Sequence, residues 1–386
     1  MQTGKKIRVL ECIRQGKIGG GESYLLGLVE NMDKAAFEPV VLAFTDGPMM
    51  ERLRSIGIRA HIIHTEKPFD WSVWKKVREL MIKEEIDIVH AHGTRANSNV
   101  FWAAKQLKLP LIYTCHAWSF HPDQNYFIKK IRIRSERFLT GKADINICGS
   151  AANGQEGRKL FRDFSPRIIY NSIDPGKFNP YGKYKNIRAE LGIKEDELVL
   201  VSIARFTLQK QPLKLIEAFK TIAQRVDNIK LLMVGDGEEK QQAIKLIDKW
   251  GLNDRIILQP FRQDIPDILS ASDIFILPSL WEAFPIALLE AMSMGKAVIG
   301  TSVDGTPEII EDKVNGLLIP VQNMVQHIAD AVTLLAEDSH LRKKLQTKAV
   351  ETIYGKYNVD KLAEENEKIY YELISKTLTP NQPQNV

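Results

Sequence analysis

Two stretches of the chain alternate short apolar runs, each sized for one buried strand, with amphipathic segments sized for one helix. In the first, the runs are 7–13, 39–44, 60–63 and 86–90, with helical spacing after Gly21, near 49–55 and near 72–84. The second begins at 198–204 and continues through 230–234, 256–259, 274–277 and 297–299. Runs that are apolar on both faces are characteristic of parallel strands, which need a crossover connection, usually helical, between them. Repetition of that unit predicts an α/β chain with doubly wound parallel sheets covered by helices on both faces. Two such domains are expected, at 1–175 and 190–355. Between them, 173–197 is rich in Pro, Gly, Asn, Lys and Tyr, and Pro175, Gly176, Pro180 and Gly182 oppose a helix in its first part, so it reads as a linker. Ligands of open α/β sheets bind outside the carboxyl ends of the strands. The active site is therefore expected in the cleft between the two domains. The tail 379–386, polar with Pro380 and Pro383, reads as disordered.

With 386 residues, 44% hydrophobic and 26% charged, the composition is that of a soluble globular chain with room for two cores. No apolar run reaches about 18 residues, and Met1 to Lys6 leads into the first strand too abruptly for a secretory signal. Cys12, Cys115 and Cys148 are unclustered in sequence, which fits a reducing compartment and no cysteine metal cage. A cytoplasmic location is expected. The net charge of +5 is mild, but Lys129, Lys130, Arg132, Arg134 and Arg137 crowd into nine positions. On a helix, Ile128, Ile131, Phe138 and Leu139 form a stripe apart from most of these cations. Two readings stay open: a helix resting on an anionic membrane surface, or a helix packed on its own sheet with a solvated basic face. Without a nucleic-acid motif, no nucleic-acid partner is expected.

The segment 278–291, PSLWEAFPIALLEA, follows the apolar run 274–277 and joins a strand end, a loop acid (Glu282), a helix start and a second acid (Glu290). Pro285 suits a first helical position. The amides of Ile286, Ala287 and Leu288 are then unpaired first-turn donors able to hold phosphate oxygens. Carboxylates flanking an anion site are poor phosphate ligands but good hydroxyl acceptors, one for a sugar ring and one for a ribose. Arg205 and Lys210 sit five residues apart after 198–203, where a planar fork and a point charge can reach a diphosphate. His116 ends the apolar strand 111–115. His90 and His92 end another, but with no acid or Cys at metal spacing His90 reads as structural and His92 as cleft-lining. No two Asp residues are separated by one position, so an Asp-x-Asp metal site is missing and no metal is expected. The glycines of Gly16-Lys17-Ile18-Gly19-Gly20-Gly21 lack the Gly-x-Gly-x-x-Gly spacing, which disfavours a hydride-transfer cofactor.

These segments, taken in order with Val89-His90-Ala91-His92-Gly93, Asn171-Ser172-Ile173-Asp174, Gly235-Asp236-Gly237, Gly305-Thr306-Pro307-Glu308 and Asn315-Gly316, resemble the signature of the retaining glycosyltransferases of family four. The resemblance implies the GT-B architecture, two Rossmann-like domains facing across a cleft, with the last helix (about 360–378) crossing back onto the first domain. It implies transfer of a sugar from a nucleotide-diphosphate donor to an acceptor hydroxyl, in bacterial surface polysaccharide or lipid-linked glycan synthesis. In that family the position of His116 hydrogen-bonds the transferred sugar, and that of Glu282 meets the sugar hydroxyls. Arg205 and Lys210 fall to the leaving diphosphate, and Gly19 and Gly20 face donor phosphate or acceptor. The donor set expected is Gly19, Gly20, Arg205, Lys210, Phe284, Ile286, Ala287, Leu288 and Glu290, and the catalytic set Glu282, His116, Arg205 and Lys210. No cofactor is expected beyond the nucleotide sugar, with a UDP-sugar favoured, and its base is placed near Phe261, Arg262 and Ile265. Phe69, Trp71, Trp118, Phe120, His121 and Tyr126 form an aromatic set for an acceptor's sugar rings or lipid. Ala204, Gln211, Asp304 and Pro260 stand where the family often has Gly, which suggests a looser 204–211 loop. A nucleotide-sugar 2-epimerase and a non-catalytic sugar-nucleotide-binding subunit are the alternatives.

Overall fold

The computed structural model describes residues 5–17, 19–121 and 124–378. The tail read as disordered lies outside the described residues. The chain divides into two compact units, Met1–Asn171 with Val359–Val386, and Ser172–Asn358.

The first unit holds strands β1 (Ile7–Ile13), β2 (Phe37–Ala43), β3 (Arg59–Ile62), β4 (Ile88–His92), β5 (Leu111–Cys115), β6 (Ile145–Cys148) and β7 (Arg167–Ile168). They form one parallel sheet in the order β3-β2-β1-β4-β5-β6-β7. Its helices are α1 (Gly20–Asn31), α2 (Pro48–Ser55), α3 (Trp71–Lys83), α4 (Thr94–Gln106), α5 (Tyr126–Thr140) and α6 (Ala151–Leu160). The second unit opens with α7 (Ile187–Leu191) and holds β8 (Leu198–Ile203), β9 (Ile229–Val234), β10 (Ile256–Gln259), β11 (Ile274–Leu277), β12 (Ala297–Thr301) and β13 (Leu317–Ile319). These are again all parallel, in the order β10-β9-β8-β11-β12-β13. Around them lie α8 (Pro212–Arg225), α9 (Lys240–Lys249), α10 (Ile265–Ser270), α11 (Ile286–Ser293), α12 (Thr306–Ile309), α13 (Met324–Glu337) and α14 (Ser339–Lys356). The last helix, α15 (Val359–Leu378), returns to the first unit, where Leu362, Tyr370 and Leu373 pack with Val9, Tyr24 and Phe37. In each sheet the strand order reverses beside the first strand, at β1/β4 and at β8/β11. That reversal is where a doubly wound sheet opens a crevice for a ligand.

Several expectations change. The segment read as a linker is packed into the second unit: Phe178, Ile187 and Ile193 are buried, Ser293 Oγ donates to the Phe178 carbonyl at 2.6 Å, and the Lys185 amide donates to Asp267 at 2.8 Å. Its Pro and Gly residues shape a folded loop, and three well-spaced apolar anchors outweigh the polar composition. Strands β6, β7 and β13 were not anticipated, being four, two and three residues long. Trp118 and Phe120 are buried against Phe161 and Phe164, so these two members of the aromatic set are core. Trp71 (82% exposed) and Tyr126 (62%) do face solvent.

Helix α5 departs furthest from the packed-helix reading. Only Glu136, Leu139 and Thr140 are buried, whereas Tyr126, Phe127, Ile128, Ile131 and Phe138 are exposed. The buried anchor is charged: Glu136 accepts from Thr94 Oγ1 (2.6 Å), Tyr113 OH (2.9 Å) and the Ser119 amide (3.2 Å). This carboxylate holds α5 to the sheet together with Leu139, which lies in the core, Ile133 and the ring contact of Phe138 with Phe101 (5.4 Å), while Tyr126, Phe127, Ile128 and Ile131 at its start face outward. Cys115 and Cys148, far apart in sequence, are register partners on β5 and β6, both buried and free.

Candidate active site

In the second unit, β8 ends at Ile203 and the loop carrying Arg205 and Lys210 follows, closing through a short 3₁₀ turn, Leu208–Lys210, into α8. Beside it β11 ends at Leu277, and the loop to α11 carries Glu282. Adjacent strands therefore deliver Lys210 and Glu282 to one place, where Lys210 Nζ is ion-paired with Glu282 Oε1. Ser279 Oγ donates to the same oxygen at 2.6 Å, and Glu282 is only 7% exposed. Its own amide donates to Asp304 Oδ2 at 2.9 Å, and the Gly305 amide to its carbonyl at 3.2 Å, which locks the acid to the loop after β12. Gln209 bridges the two loops by accepting from the Leu280 amide (2.8 Å) and donating to the Trp281 carbonyl (2.7 Å). Arg205 is exposed and has no ion pair or hydrogen bond from its guanidinium among the described residues. With Phe206, Lys210 and Pro212 it lines a small pocket.

Pro285 is the residue before α11 and not its first residue, with φ −75° and ψ 106°. The amides of Ile286 and Ala287 point out of the first turn without partners among the described residues, but that of Leu288 donates to the Pro285 carbonyl at 3.1 Å and is unavailable. Two anion-holding amides remain of the three expected. Phe284 is buried with its ring 5.6 Å from that of Tyr357, so its side chain is core and only its backbone faces the loop. Glu290 is half-buried, and its carboxylate has no hydrogen bond or ion pair among the described residues. Burial raises its pKa to about 7, against a smaller opposing pull from Lys177.

A carboxyl whose folded pKa lies above the unfolded value of 4.5 stabilises the fold at low pH, and that contribution is lost as pH rises through about 7. Glu290→Gln is therefore expected to melt above the wild type at about pH 8 and to lose that advantage at about pH 5. Equal melting-temperature differences at the two pH values would show that Glu290 is not the group responsible.

Two of the replaced glycines sit where glycine belongs. Gln211 has φ 52° and ψ 45°, and Asp304 has φ 41°. The 204–211 loop therefore makes a left-handed corner at Gln211. Gln211 bears the cost of that corner, which for a residue with a Cβ is about 1–2 kcal/mol. Gln211→Gly is expected to raise stability by about 1 kcal/mol in urea unfolding, after loss of the Gln211 Nε2 bond to the Leu208 carbonyl. Asp304 offsets its strain by accepting from the Glu282 amide. Of the residues placed near a base, Phe261 is 66% exposed. Arg262 is tied by Asp264 and Glu190, which raise its pKa.

The first unit carries its own set at the carboxyl edge of its sheet. Gly19 caps α1, and Gly20 and Gly21 lie in the helix itself, not in a preceding turn. A Cβ at Gly21 would lie 3.2 Å from His116 Cδ2, and one at Gly19 would lie 2.9 Å from Glu22 Oε2. The glycines thus let α1 start against His116 and the buried Glu22. His116 stacks on His92 with ring centroids 5.3 Å apart, and Tyr24 meets it edge-on at 4.8 Å.

His92 is not merely lining, and the acid found missing at metal spacing is present. Glu11, inside β1, accepts from His92 Nε2 at 2.7 Å and from Tyr370 OH of α15 at 2.8 Å. His90 Nδ1 lies 2.7 Å from Tyr370 OH and its Nε2 2.7 Å from Thr114 Oγ1. Glu11, His90 and His92 could bring ligand atoms within 4.8 Å of one another, but every ring nitrogen of the two histidines is already hydrogen-bonded, so the set reads as a closed polar network. Burial pushes the Glu11 pKa up, but His90 and His92 outweigh it and the net shift is downward. Burial and then His90 lower His92 to about 4, against Glu11. The sequence signal for Glu11 was an acid inside the apolar run that follows Arg8 in the strand IRVLECI.

Two doubly wound parallel sheets, the second bearing a cation–carboxylate pair and free helix amides at its carboxyl edge, define the class of GT-B glycosyltransferases. Crystal structures sharing the fold include a glycosyltransferase from Rickettsia africae (TM-score 0.81, 21% identity, 96% of this chain and 99% of that chain). Another is Anabaena HepE in complex with UDP-glucose (TM-score 0.83, 23% identity, 95% and 100%). The family model "Glycosyltransferase Family 4" matches residues 18–177 and "Glycosyl transferases group 1" matches residues 183–352. An uncharacterized glycosyltransferase of Methanocaldococcus jannaschii is 30% identical over 92% of this chain and 94% of its own length. The chain belongs to the family-four, group 1 glycosyltransferases and is a glycosyltransferase of glycan synthesis. Also similar are N-acetyl-alpha-D-glucosaminyl L-malate synthase of Bacillus anthracis (27%, 83% of each chain) and the Escherichia coli UDP-Gal:alpha-D-GlcNAc-diphosphoundecaprenol alpha-1,3-galactosyltransferase (26%, 96% and 98%).

Proposed function

We propose that the chain transfers a sugar, with retention, from a UDP-sugar to a hydroxyl of a glycan or lipid-linked acceptor. The observation that carries this reading is the Lys210–Glu282 pair beside the free Arg205 guanidinium and the unpaired amides of Ile286 and Ala287. Lys210, Arg205 and the two amides hold the diphosphate and take up the charge that grows as it leaves, so no metal is required. Glu282 receives a sugar hydroxyl and Glu290 the ribose; in the first unit, His116 receives a substrate hydroxyl. The acceptor hydroxyl attacks the anomeric carbon on the face from which the diphosphate departs. The bond from that carbon to the phosphate oxygen breaks as the new glycosidic bond forms, and a donor phosphate oxygen takes the proton. A double displacement needs a free carboxylate at the anomeric carbon, whereas Glu282 Oε1 is already engaged by Lys210 and Ser279. UDP-glucose bound to the structural neighbour HepE and the UDP-galactose donor of the E. coli relative support the nucleotide. That relative's diphosphoundecaprenol acceptor supports a lipid-linked substrate.

Among the described residues no helix is long and apolar enough to cross a membrane. Helix α5, with Tyr126, Phe127 and Ile131 exposed beside Lys129, Lys130 and Arg132, supports peripheral contact with an anionic membrane, at the cytoplasmic face where such an acceptor is reached. Thermal-shift screening against UDP-, GDP- and ADP-sugars in EDTA tests the donor. A shift with UDP-sugars alone, lost in Glu290→Ala and in Arg205→Ala/Lys210→Ala, is expected, and no shift with any donor sinks the assignment. Co-sedimentation with phosphatidylglycerol vesicles, lost when Lys129, Lys130 and Arg132 become Glu, tests α5.

A further inference from the structure

The buried polar groups of the first unit form a chain whose hydrogen-bond directions are fixed from one end. Glu11, fully buried, is a carboxylate and can only accept. Its Oε1 accepts a hydrogen bond from the Tyr370 hydroxyl at 2.8 Å, and its Oε2 faces His92 Nε2 at 2.7 Å, so that nitrogen carries the hydrogen. A neutral His92 then has a lone pair on Nδ1. His116 Nε2 lies 3.1 Å from that Nδ1, so the hydrogen of this bond belongs to His116. By elimination His116 Nδ1 is bare. The branch through His90 agrees: because Tyr370 donates to Glu11, His90 Nδ1–H donates to the Tyr370 oxygen, and His90 Nε2 accepts from Thr114.

His116 Nδ1 is shielded from solvent and has no hydrogen-bond partner. Asn171 lies close enough to pull the His116 pKa up slightly, against the larger lowering by burial, His92 and His90, but no bond of ordinary geometry joins the two. A buried acceptor left unpaired is unfavourable, and a donor hydroxyl would relieve it. We propose that Glu11 and His92 are positioning residues that hold His116 as the Nε2–H tautomer, leaving Nδ1 as a fixed acceptor for a substrate hydroxyl. This rests on the reading of His116 as a substrate-contacting residue. His116 meets the substrate as an acceptor and not as an acid, and the tautomer is set two side chains away, by a residue of β1 that touches no substrate. The arrangement parallels other sites in which a carboxylate orients an imidazole through its far nitrogen.

Ring ¹⁵N–¹H correlation spectra of the ¹⁵N-histidine-labelled full chain, with His116 and His92 assigned by His116→Gln and His92→Gln, test this directly. The expected result is neutral rings at both positions near neutral pH, each protonated at Nε2. A proton on His116 Nδ1, or a doubly protonated His92, overturns the proposal on the wild-type protein alone, whether or not any variant folds. In Glu11→Gln, His116 is expected to show mixed tautomers, and kcat to fall about 10- to 100-fold with a smaller change in donor KM. Tyr370→Phe, which leaves the Glu11–His92 bond in place, is expected to keep the His116 tautomer even if it melts lower. Loss of activity in Glu11→Gln with an unchanged His116 spectrum would mark Glu11 as merely structural and overturn the relay. If His116→Ala retains full activity, the substrate-contact reading fails instead, and the ring spectra separate that failure from failure of the relay.

Discussion

Lys210→Ala is expected to lower kcat/KM by about 10²- to 10³-fold, the loss typical when one donor to a developing negative charge is removed. It is also expected to destabilise the second unit. Lys210 is the one cation paired with the buried carboxylate of Glu282 among the described residues, and Ser279 is left as the sole side-chain donor to that acid. Removing one partner of a buried pair costs about 3–5 kcal/mol because the other charge stays desolvated. The two effects separate in Lys210→Ala/Glu282→Gln, whose neutral amide no longer needs a cation. The double variant is expected to regain most of the stability, by urea unfolding, and none of the activity. Recovery of turnover along with stability would mean that Lys210 serves only to neutralise Glu282 and does not act on the diphosphate. Lys210→Arg is expected to recover part of the rate, since charge is restored without the point geometry of an ammonium.

Gly235→Ala is expected to be the most damaging single-methyl change in the donor unit. Gly235 follows β9 at φ 145°, and a Cβ there would lie 2.1 Å from the Ala204 carbonyl oxygen. That carbonyl belongs to the peptide that leads into Arg205, and the Phe206 amide bonds the Asp236 carbonyl at 3.0 Å, so the tips of β8 and β9 are pressed together. Strained backbone costs about 1–3 kcal/mol, and pushing a packed backbone aside costs a similar amount. A total on the order of 4 kcal/mol is expected. Surviving protein is expected to bind donor weakly, because Arg205 moves with its peptide. Circular dichroism melts and donor titration check both, and wild-type values for the two would show that the loops can separate without consequence.

The sequence made the α/β class legible because a strand buried on both faces has an apolar signature that survives without knowledge of its neighbours. It also made legible that Arg205, Lys210 and Glu282 stand on loops after strands, because charged residues there stand out against apolar runs. It was less informative where a residue's environment comes from another part of the chain. The segment 173–197 has the composition of a linker, yet Phe178 and Ile187 are held by a surface built from distant residues, including Ser293. Trp118 and Phe120 looked like a sugar platform and are core, since an aromatic run says nothing about which side of it is covered. The orientation of α5 depends on Glu136 and Leu139, and the partners of Glu136, Thr94 and Tyr113, lie on other elements.

Local pattern by itself therefore determined the strands other than the short β6, β7 and β13, the doubling of the unit and the loops on which charge collects. Tertiary structure alone decided which charges meet. Glu11 and His92 are 81 positions apart and Glu11 and Tyr370 359 apart, yet each pair shares a hydrogen bond inside the first unit. Strand order in a doubly wound sheet is not sequence order: β1 lies beside β4, and β8 beside β11. Residues that look isolated along the chain become neighbours at a strand end, and there pairing or its absence sets the charge, the tautomer and the chemistry.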